Sequence, residues 1–287
     1  MQTLTSEIFA FINQNNETSI IENPDGFPDS DFDYLFLPEK NLVLHCITLS
    51  ITVQESCFFQ NLSTIFSKKN LKLIHLWEDV WRSKPKIVQS RLLSLLGQSE
   101  TIPARLTQVR RIDKLILDKF LIINHLQGTV GAKLKYGLFL PKRYFRVIDG
   151  NKNIFSENAE EVLVAVASFS NAKKIVREGQ IFRSYELIRF ANLAGFTVVG
   201  GLNKLLKNFI KEQNPDDIMT YADSDWSDGS NYEKMGFERI NQTLPLCFML
   251  DNQTLTRKLC PSFDEVNNEN LRIFNAGNWK FLMKLNK

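Results

Sequence analysis

Cysteine is sparse and poorly placed for metal. Four occur, Cys46, Cys57, Cys247 and Cys260, and no two form a Cys-x-x-Cys pair. That spacing excludes a zinc ribbon and fits buried free thiols in a reducing cytosol. No apolar run approaches the ~18 residues of a membrane-spanning helix. The opening MQTLTSEIFAF lacks the basic start and long apolar core of a secretory leader, so a cytoplasmic location is expected. Internal repeats and low-complexity tracts are also missing. A net charge of +3 is too small to argue by itself for a nucleic-acid partner.

What is present is an ordinary globular composition. Across 287 residues, 44% are hydrophobic and 23% charged, enough for two domains with substantial cores, and 22 phenylalanines can fill them. The fold class expected is α/β (α+β).

The most informative stretch runs from Tyr185 to Phe237. Tyr185–Phe190 reads as a strand. Val198-Val199-Gly200-Gly201 then opens a helix from Leu202 to Lys211, with Leu205, Leu206, Phe209 and Ile210 on one face. Asn214-Pro215 stops that helix. Asp217–Ala222 is a second short strand, and Asn231–Phe237 is a helical turn closed by Gly236. A glycine pair ahead of a helix leaves several amide donors unobstructed, and such a helix start attracts phosphate. The same pair serves equally well as a turn or a point of close packing.

Strand, glycine-opened helix, strand and the terminal YEKMGF together resemble the acyl-CoA-binding core of GNAT-type acyltransferases. The resemblance implies that Gly200, Gly201, Leu202, Asn203 and Lys204 line the phosphates of acetyl-CoA or a related acyl-CoA. It also implies that Tyr232 stands near the sulfur as a general acid. Val198 and Val199 occupy positions where that family usually carries Arg or Gln.

Asp223-Ser224-Asp225-Trp226-Ser227-Asp228-Gly229 follows the second strand directly. Asp223 stands where α/β sheets place ligand groups, and is the candidate base. Asp225 and Asp228 read as turn and capping residues. The spacing is near that of a calcium loop, but the downstream Glu is missing at the required offset, and no metal is expected. The strand-end Tyr-Ala-Asp before Tyr232 resembles the Mom-type phage proteins, GNAT folds that modify adenine in DNA. His125, in Asn-His-Leu-Gln-Gly, is either a capping residue at a helix end or a further candidate base.

The first hundred residues hold a helix from Leu4 to Phe11, a hairpin of Tyr34–Pro38 with Leu42–Ile47, a helix from Val53 to Lys68, a buried strand Leu71–Trp77 and a helix Lys84–Leu96 ending at Gly97. LIHLWEDVW, KPKIVQSRLLSLLG, IPARLTQVRRI and NHLQGTVGAKLKYGL, followed by the GNAT-like pieces, resemble phage homing endonucleases that join a very-short-patch-repair-type nuclease domain to a GNAT-like domain. The match covers residues 33–245. Tyr34 and His45 stand where that nuclease carries its metal-binding Asp and Glu. The implied domain is therefore a degenerate restriction-endonuclease-like fold at residues 1–100. A GNAT-like mixed-sheet domain at 101–251 and a polar tail at 252–287 follow. Glu161–Ser168 is expected at the sheet's centre, and Leu244–Leu250 at its closing edge.

Between residues 102 and 149, Arg105, Arg110, Arg111, Lys114, Lys119, Lys133, Lys135, Lys142, Arg143 and Arg146 outnumber Asp113, Asp118 and Asp149. Aromatics interleave them. Arg105, Arg110, Arg111, Lys142 and Arg143 are thus candidates for a DNA or RNA backbone, the alternative being a solvated face. Three functions follow: an acyl-CoA-dependent transferase associated with nucleic acid, a non-catalytic nucleic-acid-binding protein, which the valines before Gly200 favour, and a metal-dependent endonuclease.

Overall fold

A computed structural model describes residues 3–15, 18–49, 55–147, 158–177, 179–251, 253–260 and 271–285. The chain divides into two compact units, neither continuous in sequence. One comprises Met1–Pro85, Tyr221–Lys234 and Arg239–Phe281, the other Lys86–Thr220, Met235–Glu238 and Leu282–Lys287.

The first unit opens with α1 (Leu4–Asn15), β1 (Ile21–Glu22), β2 (Asp33–Leu37), β3 (Leu42–Ile47), α2 (Phe58–Lys68), β4 (Lys72–Trp77) and α3 (Glu78–Ser83). The β2–β3 hairpin turns through Pro38–Lys40, with Asn41 at φ 48°, a left-handed position that asparagine tolerates. The start expected for the next helix, Val53, lies outside the described residues. That helix crosses over to bring β4 parallel to β3, giving the sheet order β1-β2-β3-β4. All six residues of β3 are buried, as a strand covered on both faces requires. Phe32, Phe59 and Trp77 fill one part of the core; Tyr34, Leu62 and Phe66 fill another.

Next come α4 (Pro85–Leu96), β5 (Glu100–Pro103), β6 (Gln108–Arg111), α5 (Lys114–Asn124), β7 (Leu134–Pro141), β8 (Glu161–Phe169), β9 (Lys173–Arg177), β10 (Gln180–Asn192), β11 (Phe196–Val199), α6 (Gly201–Gln213) and β12 (Asp217–Asp223). The chain ends with α7 (Ser230–Glu233), β13 (Glu238–Gln242), β14 (Cys247–Asp251), β15 (Thr256–Leu259), β16 (Leu271–Phe274) and β17 (Asn278–Lys284). The large sheet runs β13-β17-β12-β10-β8-β7-β6, with β9 paired to β10. β6, β7, β8 and β10 are antiparallel neighbours, whereas β10 and β12 are parallel and joined through α6. As expected, β8 is central, and Val164 to Phe169 are buried.

Two expectations are corrected here. Leu244–Leu250 does not close the large sheet. Cys247–Asp251 is instead the middle strand of a separate antiparallel sheet, β15-β14-β16. The polar tail supplies β17, which joins the large sheet between β12 and β13 and buries Phe281 completely. An alternating Trp279–Phe281 pattern between charged residues suits a half-buried strand, and burying that phenylalanine outweighs the polarity around it.

Candidate functional site

The β10–α6–β12 unit is the only parallel connection in the large sheet for which pairing is described. Its pairing runs from Ser184↔Asp217 to Leu187↔Thr220 and goes no further. Past that point β10 continues to Asn192. On its other edge the register with β8 slips between Leu187 and Arg189. A bulge leaves one residue's backbone groups outside the ladder, here beside the carboxyl ends of two parallel strands, the region where open α/β sheets bind ligands. Two buried side-chain atoms nearby, Ser168 Oγ and Asn192 Oδ1, have no hydrogen-bond partner among the described residues.

From β10 the chain turns through Gly195, pairs briefly as β11 with β5, and reaches Gly200. Gly200 has φ 77° and caps α6 with no side-chain hydrogen bond. The first helical bond described there is from the Lys204 amide to the Gly200 carbonyl, 3.0 Å. The amides of Gly201, Leu202 and Asn203 take no acceptor from the described residues, as expected for a helix start without a cap. Gly200 and Asn203 are exposed and Val199 is 55% exposed, so this corner is not covered within its own unit. A side chain on Gly200 would meet only Ala104 Cβ, at 3.8 Å. Gly201 has a different purpose: a Cβ there would press on Val198 at 3.0 Å and Leu138 at 3.3 Å, so its glycine permits close packing. Leu202 is buried beneath the helix.

Lys204 is already committed beside the corner. Its ammonium donates to the carbonyls of Ala104 (2.9 Å) and Thr107 (2.5 Å), and burial lowers its pKa. The donors left at this corner are backbone amides, not a lysine.

Asp223 and Tyr232 belong to the other unit. Asp223 ends β12; its Oδ1 accepts from the Asp225 amide at 3.1 Å and its carbonyl accepts from Trp226 and Ser227. Tyr232 lies on α7, its ring 5.4 Å from that of Phe281. Asp225 is fully enclosed. Its carboxylate accepts from the Trp77 indole (3.2 Å) and the Ala276 amide (2.7 Å), while burial, with Asp223 nearby, raises its pKa to about 8. Beside it Arg257 donates two hydrogen bonds to buried Asp79, 2.6 and 2.7 Å, and lies over Trp77. Asp228 accepts from the Ser230 amide at 3.1 Å, as a capping residue does.

His125 follows α5, and its Nδ1 accepts from the Gln127 amide at 3.2 Å in a local turn. Three cations of the basic segment, Arg110, Arg111 and Lys142, pair with acids outside it. Arg110 pairs with Glu161 and lies 3.9 Å from the centroid of Phe139. Arg111 binds Glu212 at 2.8 Å, which also accepts from Tyr136, and Lys142 reaches Glu160 at 3.4 Å. Arg143 lies over Tyr144, and Arg105 is exposed.

A group that sequence reasoning did not assemble is a buried histidine pair. Tyr34, His45 and His75 are register partners across β2, β3 and β4. Both histidines stand fourth in six-residue apolar strands, Leu-Val-Leu-His-Cys-Ile and Lys-Leu-Ile-His-Leu-Trp, and that shared offset is the signal a parallel pairing converts into contact.

No family model matches the chain, and no curated protein matches it. Among solved structures it is similar to Arabidopsis thaliana NAA60 in complex with a bisubstrate analogue, at 12% identity over 63% of this chain and 99% of that one, TM-score 0.35. It is likewise similar to a Bacillus subtilis acetyltransferase in complex with CoA, at 12% identity over 62% and 99%, TM-score 0.35. A third is the ribosomal-protein-S18-alanine N-acetyltransferase from Escherichia coli, at 11% identity over 63% and 95%, TM-score 0.34.

Proposed function

We propose that this protein is a GNAT-like acyl-CoA-dependent transferase. The observation that carries the reading is the β10–α6–β12 unit, a parallel pair that stops pairing beside a bulge, linked by a helix whose glycine start faces solvent. In this reading the amides of Gly201, Leu202 and Asn203 hold the diphosphate of an acyl-CoA, helped by the helix dipole. In the same reading Ser168 and Asn192 receive the polar atoms of the pantetheine arm. The bound thioester supplies an activated acyl group. The resemblance assigns the base to Asp223 and the acid to Tyr232, both on the other unit. The fit is to backbone donors, since Lys204 is already committed to Ala104 and Thr107.

The acceptor assigned by the resemblance is nucleic acid, and Arg105 and Arg143 are the residues of the basic segment best able to meet a phosphate backbone. The first unit, in the same reading, is a nuclease-derived scaffold in which Tyr34 and His45 replace metal-binding acids.

Asn203→Glu provides the test. A carboxylate in the first turn of α6 favours the helix by about 0.3–1 kcal/mol and repels phosphate. Calorimetric titration with acetyl-CoA should show binding to the wild type and at least tenfold weaker binding to the variant, with an unchanged or raised melting temperature. No heat with the wild type, and no CoA species among copurifying ligands by mass spectrometry, would end the transferase reading.

A further inference from the structure

The first unit holds a chain of polar groups that the transferase reading does not use. Ser30 Oγ lies 2.8 Å from His45 Nε2, His45 Nδ1 lies 3.1 Å from His75 Nδ1, and His75 Nε2 lies 3.0 Å from the Phe59 carbonyl and 2.9 Å from Ser63 Oγ. Both imidazoles are completely buried and Ser30 is partly exposed.

The direction of every proton in this chain is fixed by its inner end. A carbonyl oxygen only accepts, so His75 Nε2 carries hydrogen. Burial holds both imidazoles neutral, His75 down to about 3 and His45 well below its ordinary value, His45 disfavoured further by its neighbour. A neutral His75 with hydrogen on Nε2 has a bare Nδ1, which accepts from His45 Nδ1–H. His45 Nε2 is then bare and accepts from the Ser30 hydroxyl. The Phe32 amide donates to Ser30 Oγ at 3.1 Å, consistent with a serine whose own hydrogen is turned toward the imidazole.

This is the ordering of a nucleophile, a base and a group that orients the base. A fourth group stands beside it. The Tyr34 ring stacks on His45 at 4.8 Å, and its hydroxyl is buried with no hydrogen-bond partner among the described residues. Burial pushes that phenol up to about 12, while the neighbouring Ser30 pulls it down, so it is a neutral donor close to the serine. A protonated phenol beside the serine is what an anionic oxygen formed there would require.

We propose that Ser30 is a nucleophile toward carboxylic esters, with His45 as its base, His75 as a positioning residue and the Tyr34 hydroxyl as the donor to the developing oxyanion. Ser30 Oγ bonds to the ester carbonyl carbon as its proton passes to His45 Nε2. The bond to the alcohol oxygen breaks, and that alcohol leaves with the proton. Water then attacks the acylated serine, releasing the carboxylic acid and restoring the Ser30 hydroxyl. The proposal is independent of acyl-CoA binding and survives or fails separately.

A fluorophosphonate probes the serine directly, because P–O bond formation expels fluoride and leaves a stable adduct. Peptide mass spectrometry of the full chain should find the adduct on Ser30 in the folded protein and lose it on Ser30→Ala. The labelling rate should drop about 100-fold or more in His45→Gln, the scale of general-base assistance. His75→Leu should slow labelling, whereas His75→Asn, whose amide oxygen can accept the His45 proton, should restore most of it. Since a buried His45 remains neutral, the wild-type rate should stay flat from pH 8 to pH 6. Should either histidine variant unfold, adduct mapping and the pH profile of the wild type still decide. Absence of a Ser30 adduct in the folded protein, a rate indifferent to His45, or a rate falling steeply below pH 7 would overturn the proposal.

Discussion

Two helices in this chain begin in the same way and end up in opposite surroundings. α6 starts at Gly200, φ 77°, and α7 at Gly229, φ 78°, each in the left-handed region, and Asp228 accepts from the first amide of α7. Around Gly200 there is one ordinary contact, Ala104 at 3.8 Å. Gly229 lies beneath the Phe281 ring, where an added Cβ would fall 2.1 Å from its nearest carbon. One glycine is exposed and leaves the first amides of its helix without an acceptor among the described residues, while the other lets an aromatic ring sit against the backbone. A glycine before a helix therefore has no fixed meaning, and what stands over it decides between an anion site and a packing contact.

The largest effect that sharpens this contrast is steric. Gly229→Ala combines left-handed strain with a collision against a completely buried ring and should cost about 3 kcal/mol or more. Gly200→Ala faces only the strain, about 1–2 kcal/mol. Chemical denaturation of both variants checks the pair, and equal losses would break the distinction.

The enclosed interior of the first unit gives a second contrast, in pH. His45 and His75 are held neutral by burial, below an unfolded value near 6.5. Their contribution is complete above that value and is lost as pH falls toward the folded values, because the unfolded chain binds protons that the folded one refuses. Asp225 acts oppositely. Its folded value of about 8 lies above the unfolded one, so its contribution is complete below the unfolded carboxylate value and lost as pH rises from about 4 to 8. With two histidines against one carboxyl, these groups give a stability maximum near pH 6.5 and a net slope of about 1 kcal/mol per unit below it. Urea titrations from pH 5 to 8 measure this, and a monotonic profile through that window would contradict it.

The smallest expected effect lies in the basic segment. Arg110, Arg111 and Lys142 already face Glu161, Glu212 and Glu160. Exposed pairs of this kind contribute about 0–1 kcal/mol, an attraction a polyanion must displace before it can use the same cations. Arg105→Ala/Arg143→Ala should shift heparin elution to lower salt, and by more than Arg110→Ala/Arg111→Ala does. The reverse order would return the nucleic-acid surface to the paired arginines.

Much of this organisation is legible in the sequence because it is local. The β2–β3 hairpin, the α4 stop at Gly97 and the succession of β10, α6 and β12 follow from periodicity and turn residues close together in the chain. What is not legible depends on long-range pairing. Glu160, Glu161 and Glu212 lie outside the stretch whose charge they cancel, so counting residues 102–149 overstates its field. Lys204 reads as a phosphate ligand until the carbonyls of Ala104 and Thr107, about a hundred residues earlier, claim its ammonium. Phe281 reads as part of a polar tail until β17 inserts it into a sheet. His45 and His75 meet only because β3 and β4 pair in parallel and in register.

The central claim is that the amides at the start of α6 hold the diphosphate of an acyl-CoA. Amide hydrogen exchange with and without CoA tests it most directly, read separately over the starts of the two helices. The account predicts slowed exchange at Gly201, Leu202 and Asn203, with Ser230 and Asn231 unchanged. Saturating CoA that leaves Gly201–Asn203 exchanging as before would contradict it.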